Sequence, residues 1–263
     1  MIVEFIGCSG AGKTTLMRQV QRHAAAAPMV ATAWDLVLDR PGRRRLTNPT
    51  AVNLVADATA LGPFLGGLRR NDAFVRFALR RLRGQAPTTV AGLNYARNVV
   101  RRVGMHELAR REQGRTVLVD EGTVLIAYQL FVYSRVPPTE EEIERFASLV
   151  PAPDRLVHVR APTSVLVERA VSRPDRRREL RRADAIRLHH LIERADTVLT
   201  AVASAPTLRE RVLEVDNPDS SAQRQHVVAQ RIAAWLASTD LGSDGGERSD
   251  PDGRTTQRAT EDP

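Results

Sequence analysis

The sequence predicts an α/β protein in which a parallel sheet is covered by helices on both faces. Short runs rich in Val, Leu and Ile alternate with longer segments of helical spacing along residues 1–237. A glycine-rich turn joins the first strand-like run to the first helix-like segment. The 263-residue chain is 42% hydrophobic, which is enough to fill a substantial core.

The strand-like runs are short, apolar and bounded by turn residues, as expected for buried strands. We predict strands in 2–6, 30–38, 116–122, 154–162 and 211–217. The segments between them have the length and spacing of helices, and several begin after proline or an acidic cluster. We predict helices in 13–27, 123–134, 140–149, 162–171, 184–204 and 221–237.

Residues 50–112 interrupt this alternation, because they carry helical patterning and contain no obvious strand. The pattern is broken at Gly62-Pro63, at 84–87 and at Gly104. We therefore expect a helical insert made of several pieces.

The glycine-rich turn reads FIGCSGAGKTT over residues 5–15 and contains Lys13, the only lysine of the chain. Gly7-x-x-x-x-Gly12-Lys13-Thr14 is the pattern of a phosphate-binding loop, and it lies between a strand and a helix, as that loop requires. Backbone N–H groups of such a loop surround phosphate oxygens together with the helix N-terminus. The predicted nucleotide-binding residues are Gly7, Cys8, Ser9, Gly10, Ala11, Gly12, Lys13, Thr14 and Thr15.

A lone lysine in an arginine-rich chain fits this place, because its slim ammonium enters a narrow loop more easily than a planar guanidinium does. We expect Lys13 to reach the β- and γ-phosphates of a nucleotide and the Thr14 hydroxyl to ligate Mg²⁺.

A metal-organising acid is expected at the end of a neighbouring strand, because the carboxyl ends of parallel strands face the ligand crevice. Asp120 ends the run TVLVD and is predicted to hold Mg²⁺ through water beside Thr14. Glu121 follows it and is predicted to accept a proton from an attacking hydroxyl or water. The alternative is a polar strand end without chemistry.

An arginine-rich segment follows the fourth strand-like run. Arg169 and Arg173 lie four residues apart, and five further arginines fall within 176–182. We predict a lid at about 173–182 whose guanidinium groups, Arg173 and Arg177 among them, stabilise charge on a transferred phosphoryl group. Arg169 is predicted to bind the nucleotide, and a solvated charge run is the alternative.

The charge is uneven along the chain. Residues 239–263 hold seven acidic residues and three arginines, a net charge of −4. Because the whole chain has a net charge of +8, residues 1–238 carry +12. We predict a domain at 1–238 and a disordered acidic tail at 239–263. The basic body suits polyphosphate substrates, whereas its arginine-rich helices lack the interleaved aromatic residues of single-strand nucleic-acid sites.

Other classes are excluded or left open by composition. One cysteine excludes an internal disulfide and a cysteine-cluster metal site. Neither a signal peptide nor an apolar run of membrane-spanning length is recognisable, so a cytoplasmic protein without membrane or nucleic-acid partners is expected. The oligomeric state stays open, with a homodimer as one option.

In this order the motifs resemble the thymidylate-kinase-like branch of P-loop nucleoside and nucleotide kinases. FIGCSGAGKTT looks like the family's phosphate loop, DRPG (39–42) stands where the family often has Arg-Glu-Pro-Gly, and VLVDEG takes the place of a strand-ending Asp-Arg-aromatic motif. PDRLVHVRAPTSVLVERAVSR is similar to the next strand and the helix bearing Arg-x-x-x-Arg, and VLEVDN resembles the last strand. The resemblance covers most of residues 1–237.

This resemblance implies a P-loop NTPase-type three-layer sandwich that uses ATP and Mg²⁺. The implied reaction transfers the γ-phosphoryl group of ATP to a nucleoside, a nucleotide or another small-molecule hydroxyl acceptor. The family has an arginine that grips the acceptor's monophosphate where this chain has Glu121. A neutral hydroxyl acceptor, such as a nucleoside or a sugar, is therefore an alternative to a monophosphate.

An ATP hydrolase or an ATP-driven regulatory protein is the alternative function, because an Asp-Glu pair at a strand end is typical of P-loop ATPases. The arginine-rich segment and the single-domain length favour a kinase. A GTPase is disfavoured, since guanine recognition by an Asn-Lys-x-Asp motif needs a second lysine.

Overall fold

The sheet has five strands, all parallel, in the order β2-β3-β1-β4-β5. The computed structural model describes residues 1–23, 30–38, 48–172, 185–219 and 221–240. The strands are Ile2–Ile6 (β1), Val30–Thr32 (β2), Thr116–Asp120 (β3), Arg155–Arg160 (β4) and Val212–Asp216 (β5). Every residue of β1 is buried, so both faces of the sheet are covered at its centre.

The helices alternate with the strands along the chain. The α-helices of the described residues are Lys13–His23 (α1), Ala33–Leu38 (α2), Pro49–Gln85 (α3), Thr89–Ala109 (α4), Glu140–Leu149 (α5), Thr163–Ser172 (α6), Ala185–Ser204 (α7) and Ala222–Asp240 (α8). A π-helix spans Tyr128–Val132, and a 3₁₀ turn spans Arg209–Arg211. With the glycine-rich turn between β1 and α1, this arrangement confirms the predicted P-loop NTPase-type fold.

The strand register brings the two predicted motifs together. Phe5 of β1 lies level with Asp120 of β3 on one side and with Val157 of β4 on the other. The chain leaves β1 at Ile6 and enters the glycine-rich turn, so that turn and Asp120 lie at the same edge of the sheet.

The predicted strand 30–38 is wrong beyond Thr32, where a helix begins. The Thr32 hydroxyl accepts a hydrogen bond from the backbone N–H of Asp35, and the Asp35 carboxylate accepts the backbone N–H of Thr32. This reciprocal pair is a capping box, which starts α2 in place of a longer strand.

The helical insert consists of two long helices and not of several pieces. Helix α3 continues through Gly62-Pro63, and α4 continues through Gly104. A Cβ atom on Gly104 would lie 2.1 Å from the carbonyl oxygen of Ala60, so glycine allows the backbones of α3 and α4 to touch. The break predicted at 84–87 is confirmed, since α3 ends at Gln85 and Thr88 caps α4.

One described helix, Thr50–Gln85, has an 18-residue window with a mean hydropathy of 1.3, of which 22% is buried. It is long and apolar enough to cross a membrane by length and composition, in contrast to the expectation from sequence that no run would qualify. The Asp57 carboxylate of this segment bonds the guanidinium of Arg97 on α4.

The predicted domain at 1–238 and tail at 239–263 stay predictions. Helix α8 runs to Asp240, so the predicted start of the tail at 239 falls inside a helix. Residues 241–263, the DRPG segment at 39–42 and the predicted lid at 173–182 lie outside the described residues.

Candidate functional site

The phosphate loop is closed by glycines at positions that admit no side chain. Gly7 and Gly12 have φ angles of 146° and 90°. A Cβ atom on Gly7 would lie 2.2 Å from the carbonyl oxygen of Val159, and one on Gly12 would lie 2.4 Å from Nδ2 of Asn217. The loop is therefore pressed against β4 and the end of β5, and its other side encloses a cavity of about 40 Å³.

Lys13 lies at the mouth of this cavity. Its Nζ donates hydrogen bonds to the carbonyl oxygens of Gly7 at 2.9 Å and Cys8 at 3.0 Å. Ser9, Thr14 and Tyr128 also line the cavity, together with Asp120 and Glu121. The ammonium group thus bonds the loop's own carbonyl oxygens in the wall of the cavity, and its contact with phosphates stays a prediction.

Thr14 and Asp120 are in direct contact. The Thr14 hydroxyl donates a short hydrogen bond to Oδ2 of Asp120. Oδ1 of Asp120 is buried and accepts no hydrogen bond from any described residue. An orphaned carboxylate oxygen beside a hydroxyl fits Mg²⁺, which binds one or two protein oxygens and completes its shell with water and phosphates. Within the described ranges no cluster of three or more His, Cys, Asp or Glu could hold a metal.

Glu121 turns the chain away from the phosphate loop. Its φ angle of 65° is the only positive value at a non-glycine residue of the described chain, which marks a strained position of the kind found at functional sites. Its Oε2 accepts a hydrogen bond from Nη2 of Arg102 at 3.1 Å. Glu121 therefore stands between the phosphate loop and α4.

A second cavity, which we call the acceptor cavity, adjoins the phosphate loop and has a volume of about 150 Å³. Asp120 and Glu121 line both cavities. The side chains that line only the acceptor cavity include Glu4, Trp34, Arg101, Arg102 and His106. Burial lowers the pKa of His106 to about 4, so its imidazole is neutral at physiological pH.

Glu4, in the middle of β1, fixes the turn that carries Glu121. Its carboxylate accepts the backbone N–H groups of Val124 at 3.1 Å and Leu125 at 3.0 Å. Burial raises the pKa of Glu4 to about 7, although these hydrogen bonds oppose the shift. Sequence analysis missed this residue, whose signal is an acid in the otherwise apolar run IVEFI.

Asn217 is the second missed residue, and it lies just after β5. Its Nδ2 donates a hydrogen bond to the carbonyl oxygen of Ala11 at 2.7 Å, and the side chain is buried. The Arg169 guanidinium donates to the carbonyl oxygens of Gly10 at 3.3 Å and Asn217 at 3.0 Å. Arg169 therefore supports the backbone of the loop, in addition to its predicted role toward the nucleotide.

Two predicted loop residues point elsewhere. The Cys8 side chain is buried, and its Sγ donates to the carbonyl oxygen of Ile192 at 3.7 Å. Burial raises the pKa of this thiol to about 12, which makes it unreactive. Thr15 is exposed and does not line the phosphate cavity. Arg173 and Arg177 lie outside the described residues, so their roles stay predictions.

Comparisons with known proteins find similarity only among solved structures. No family model and no curated protein matches the chain. Thymidylate kinase from Ehrlichia chaffeensis is 13% identical, with 90% of this chain and 98% of that chain covered and a TM-score of 0.39. Shikimate kinase from Acinetobacter baumannii, in complex with shikimate, is 14% identical, with coverage of 91% and 94% and a TM-score of 0.41. Values this low assign neither a substrate nor a reaction.

Proposed function

We propose that the protein is an ATP-dependent kinase that transfers the γ-phosphoryl group to a hydroxyl of a small molecule. The observation that carries this proposal is the junction of two cavities at Asp120 and Glu121. One cavity has the loop, the lysine and the hydroxyl that a nucleotide's phosphates need. The other has room for a second reactant, which hydrolysis of ATP does not require.

On the nucleotide side, the loop N–H groups and Lys13 bind the phosphates and hold the γ-phosphoryl group at the junction. Thr14 and Asp120 would hold Mg²⁺ there. The ion would neutralise the negative charge that develops on the phosphate oxygens. Asn217 and Arg169 keep the loop in its curled shape through the carbonyl oxygens of Ala11 and Gly10.

On the acceptor side, Glu121 is the group that meets the incoming hydroxyl. The hydroxyl oxygen forms a bond to the γ-phosphorus while the bond from that phosphorus to the β,γ-bridging oxygen breaks, and ADP leaves. The hydroxyl proton passes to the Glu121 carboxylate, which acts as the general base. Glu4 holds the turn that follows Glu121 and so fixes the path of the chain after β3.

The proposal is tested by measuring ADP release with and without a panel of nucleosides, nucleoside monophosphates, sugars and small hydroxy acids. We expect at least one acceptor to raise ADP release about a hundredfold and to appear phosphorylated by mass spectrometry. Lys13→Ala should abolish both signals. ADP release that no acceptor changes, at a rate of several per second, would identify a hydrolase.

A further inference from the structure

Arg102 is a buried cation with an incomplete set of hydrogen bonds. Its side chain lies on α4 in the wall of the acceptor cavity and is only 8% exposed. Nη2 donates to Glu121, whereas Nη1 is buried and meets no hydrogen-bond acceptor among the described residues. A buried donor without a partner is costly, so its retention in a cavity wall indicates a ligand.

The adjacent Arg101 shows that the arginines in the wall of the acceptor cavity do not all lack hydrogen-bond acceptors. Arg101 Nη1 donates to Oδ1 of Asn53 at 2.9 Å, and its Nη2 donates to Oδ1 of Asn98 at 3.1 Å. Both terminal nitrogens of Arg101 therefore have hydrogen-bond acceptors within the protein. Arg102 keeps its charge at neutral pH, since burial lowers its pKa only to about 10.

We propose that Arg102 binds an anionic group of the acceptor, a carboxylate or a phosphate, and that this contact releases Glu121 toward the acceptor hydroxyl. The inference rests on the proposed kinase function and names its substrate class. A cavity of about 150 Å³ has the size of one that holds benzene. The part of the acceptor that this cavity encloses is thus about the size of a six-membered ring, with Trp34 and Met105 as apolar walls.

An anionic group is required because a neutral one cannot compete for the cation. A hydroxyl or a carbonyl oxygen would satisfy Nη1 but leave Arg102 paired with Glu121. A carboxylate or phosphate matches the planar fork of the guanidinium and replaces the charge of Glu121. Glu121 is the partner that can move, since 35% of its side chain is exposed against 8% for Arg102.

Two further carboxylates near Arg102, those of Glu4 and Asp120, accept hydrogen bonds from other groups of the protein. Glu4 accepts backbone N–H groups of the turn, and Asp120 accepts the Thr14 hydroxyl. In the resting enzyme Glu121 is therefore the carboxylate that Arg102 bonds directly. Held there, Glu121 is kept from activating water, so ATP is not hydrolysed before the acceptor arrives.

Binding is tested without turnover, through the fluorescence of Trp34 in a Trp235→Phe background, which removes the other tryptophan. The probes are benzoate, inorganic phosphate and benzyl alcohol, the neutral match of benzoate. We expect benzoate or phosphate to bind at least about tenfold more tightly than benzyl alcohol. Arg102→Gln should remove this preference, and Arg101→Gln should retain it.

The two anions distinguish the source of the charge. Stronger binding of benzoate indicates a carboxylate acceptor, and stronger binding of phosphate that Arg102→Gln removes indicates a phosphorylated one. Binding of both anions no tighter than that of benzyl alcohol by the intact protein would overturn the inference, and this comparison needs no variant that might misfold.

The release of Glu121 is tested by ATP hydrolysis in the absence of any acceptor. Arg102→Gln should raise this rate at least about fivefold, and a second change, Glu121→Gln, should cancel the gain. An unchanged rate of ATP hydrolysis in folded Arg102→Gln would refute the proposal that Arg102 holds Glu121 back. If neutral acceptors are phosphorylated and Arg102→Gln does not change their rate, the inference is refuted and the proposed kinase function stands. If benzoate binds but no acceptor is phosphorylated, the anion site stands and the proposed kinase function is refuted.

Discussion

The phosphate loop and the acceptor cavity share one wall but are built in opposite ways. The loop is made of consecutive residues, 7–14, and a loop of this kind surrounds phosphates mainly with backbone N–H groups. The acceptor cavity is made of side chains from β1, α2, α3, α4 and β3, which together span more than a hundred residues of the chain. Local sequence therefore specifies the first, and only packing assembles the second.

The difference extends to the cation that each cavity uses. The loop has a lysine, whose slim ammonium fits between the carbonyl oxygens of Gly7 and Cys8. The acceptor cavity has an arginine, whose planar fork bonds Glu121 in the resting state and can bond an anionic ligand in its place. A point charge suits phosphates that the backbone already surrounds, whereas a fork suits a site that must choose between two anions.

The largest effect is expected from Lys13→Ala, which removes the cation of the phosphate loop. We expect kcat for phosphoryl transfer to fall by about a thousandfold or more, because charge on the γ-phosphate loses its stabilising partner. The fold should be kept, since Lys13 is partly exposed and does not belong to the buried core. Turnover and thermal melting of the same preparation measure the two effects.

The matched control is Arg18→Ala, a cation removed from the exposed side of the same helix. It should leave turnover unchanged. Normal turnover in folded Lys13→Ala would contradict the kinase assignment as a whole, and with it any distinction between the two cavities.

A smaller effect separates the two acids of the shared wall. Asp120→Asn should weaken the use of Mg²⁺-ATP with every acceptor, because Asp120 belongs to the loop side. Glu121→Gln should leave ATP binding nearly normal and reduce transfer by about a hundredfold, as expected for loss of a general base. ATP binding by titration and single-turnover rates distinguish the two.

If both acid variants lose ATP binding and transfer in parallel, Glu121 does not belong to the acceptor side. If Glu121→Gln instead traps bound ATP without any acceptor present, the protein is a hydrolase. The kinase predicts a defect that is visible only with the true acceptor.

Sequence was sufficient for the glycine-rich turn and for the alternation of strands and helices, because each follows from local spacing, whereas the metal-binding roles of Thr14 and Asp120 stay predictions. It overextended β2, since the capping box at Thr32 and Asp35 ended the strand early. It divided α3 at Gly62-Pro63, although tertiary contacts with α4 carry the helix through. Glu4 and Arg102 were out of reach, because their roles depend on neighbours that only the folded chain supplies.

Glu4 lines the acceptor cavity but not the phosphate cavity, and its role can be tested through the stability of the protein. Burial raises the pKa of Glu4 from 4.5 to about 7, so the folded state resists its ionisation. The contribution of this group to the unfolding free energy is greatest below pH 4.5 and is lost as the pH rises through 7. The loss amounts to about 3 kcal/mol.

Glu4→Gln cannot ionise, but it replaces one acceptor oxygen by an amide that faces the N–H of Val124 or Leu125. The variant should be less stable than the natural protein at pH 5, and the gap should shrink by about 3 kcal/mol by pH 8. Urea unfolding at both pH values measures the gap. A gap independent of pH would mean that Glu4 is ionised in the folded protein throughout this range.

The smallest effect is expected from Asn217→Ala, and it tests whether the two cavities are independent. Asn217 donates to the carbonyl oxygen of Ala11, so its loss leaves that oxygen unpaired and loosens the loop where Gly12 packs. The Kd for ATP should rise about tenfold, the usual cost of a buried hydrogen bond. Benzoate binding at Arg102 should not change, whereas Arg102→Gln should abolish benzoate binding and leave the Kd for ATP unaltered. A loss of both ligands in either variant would show that the shared wall couples the cavities, and that they are one site and not two.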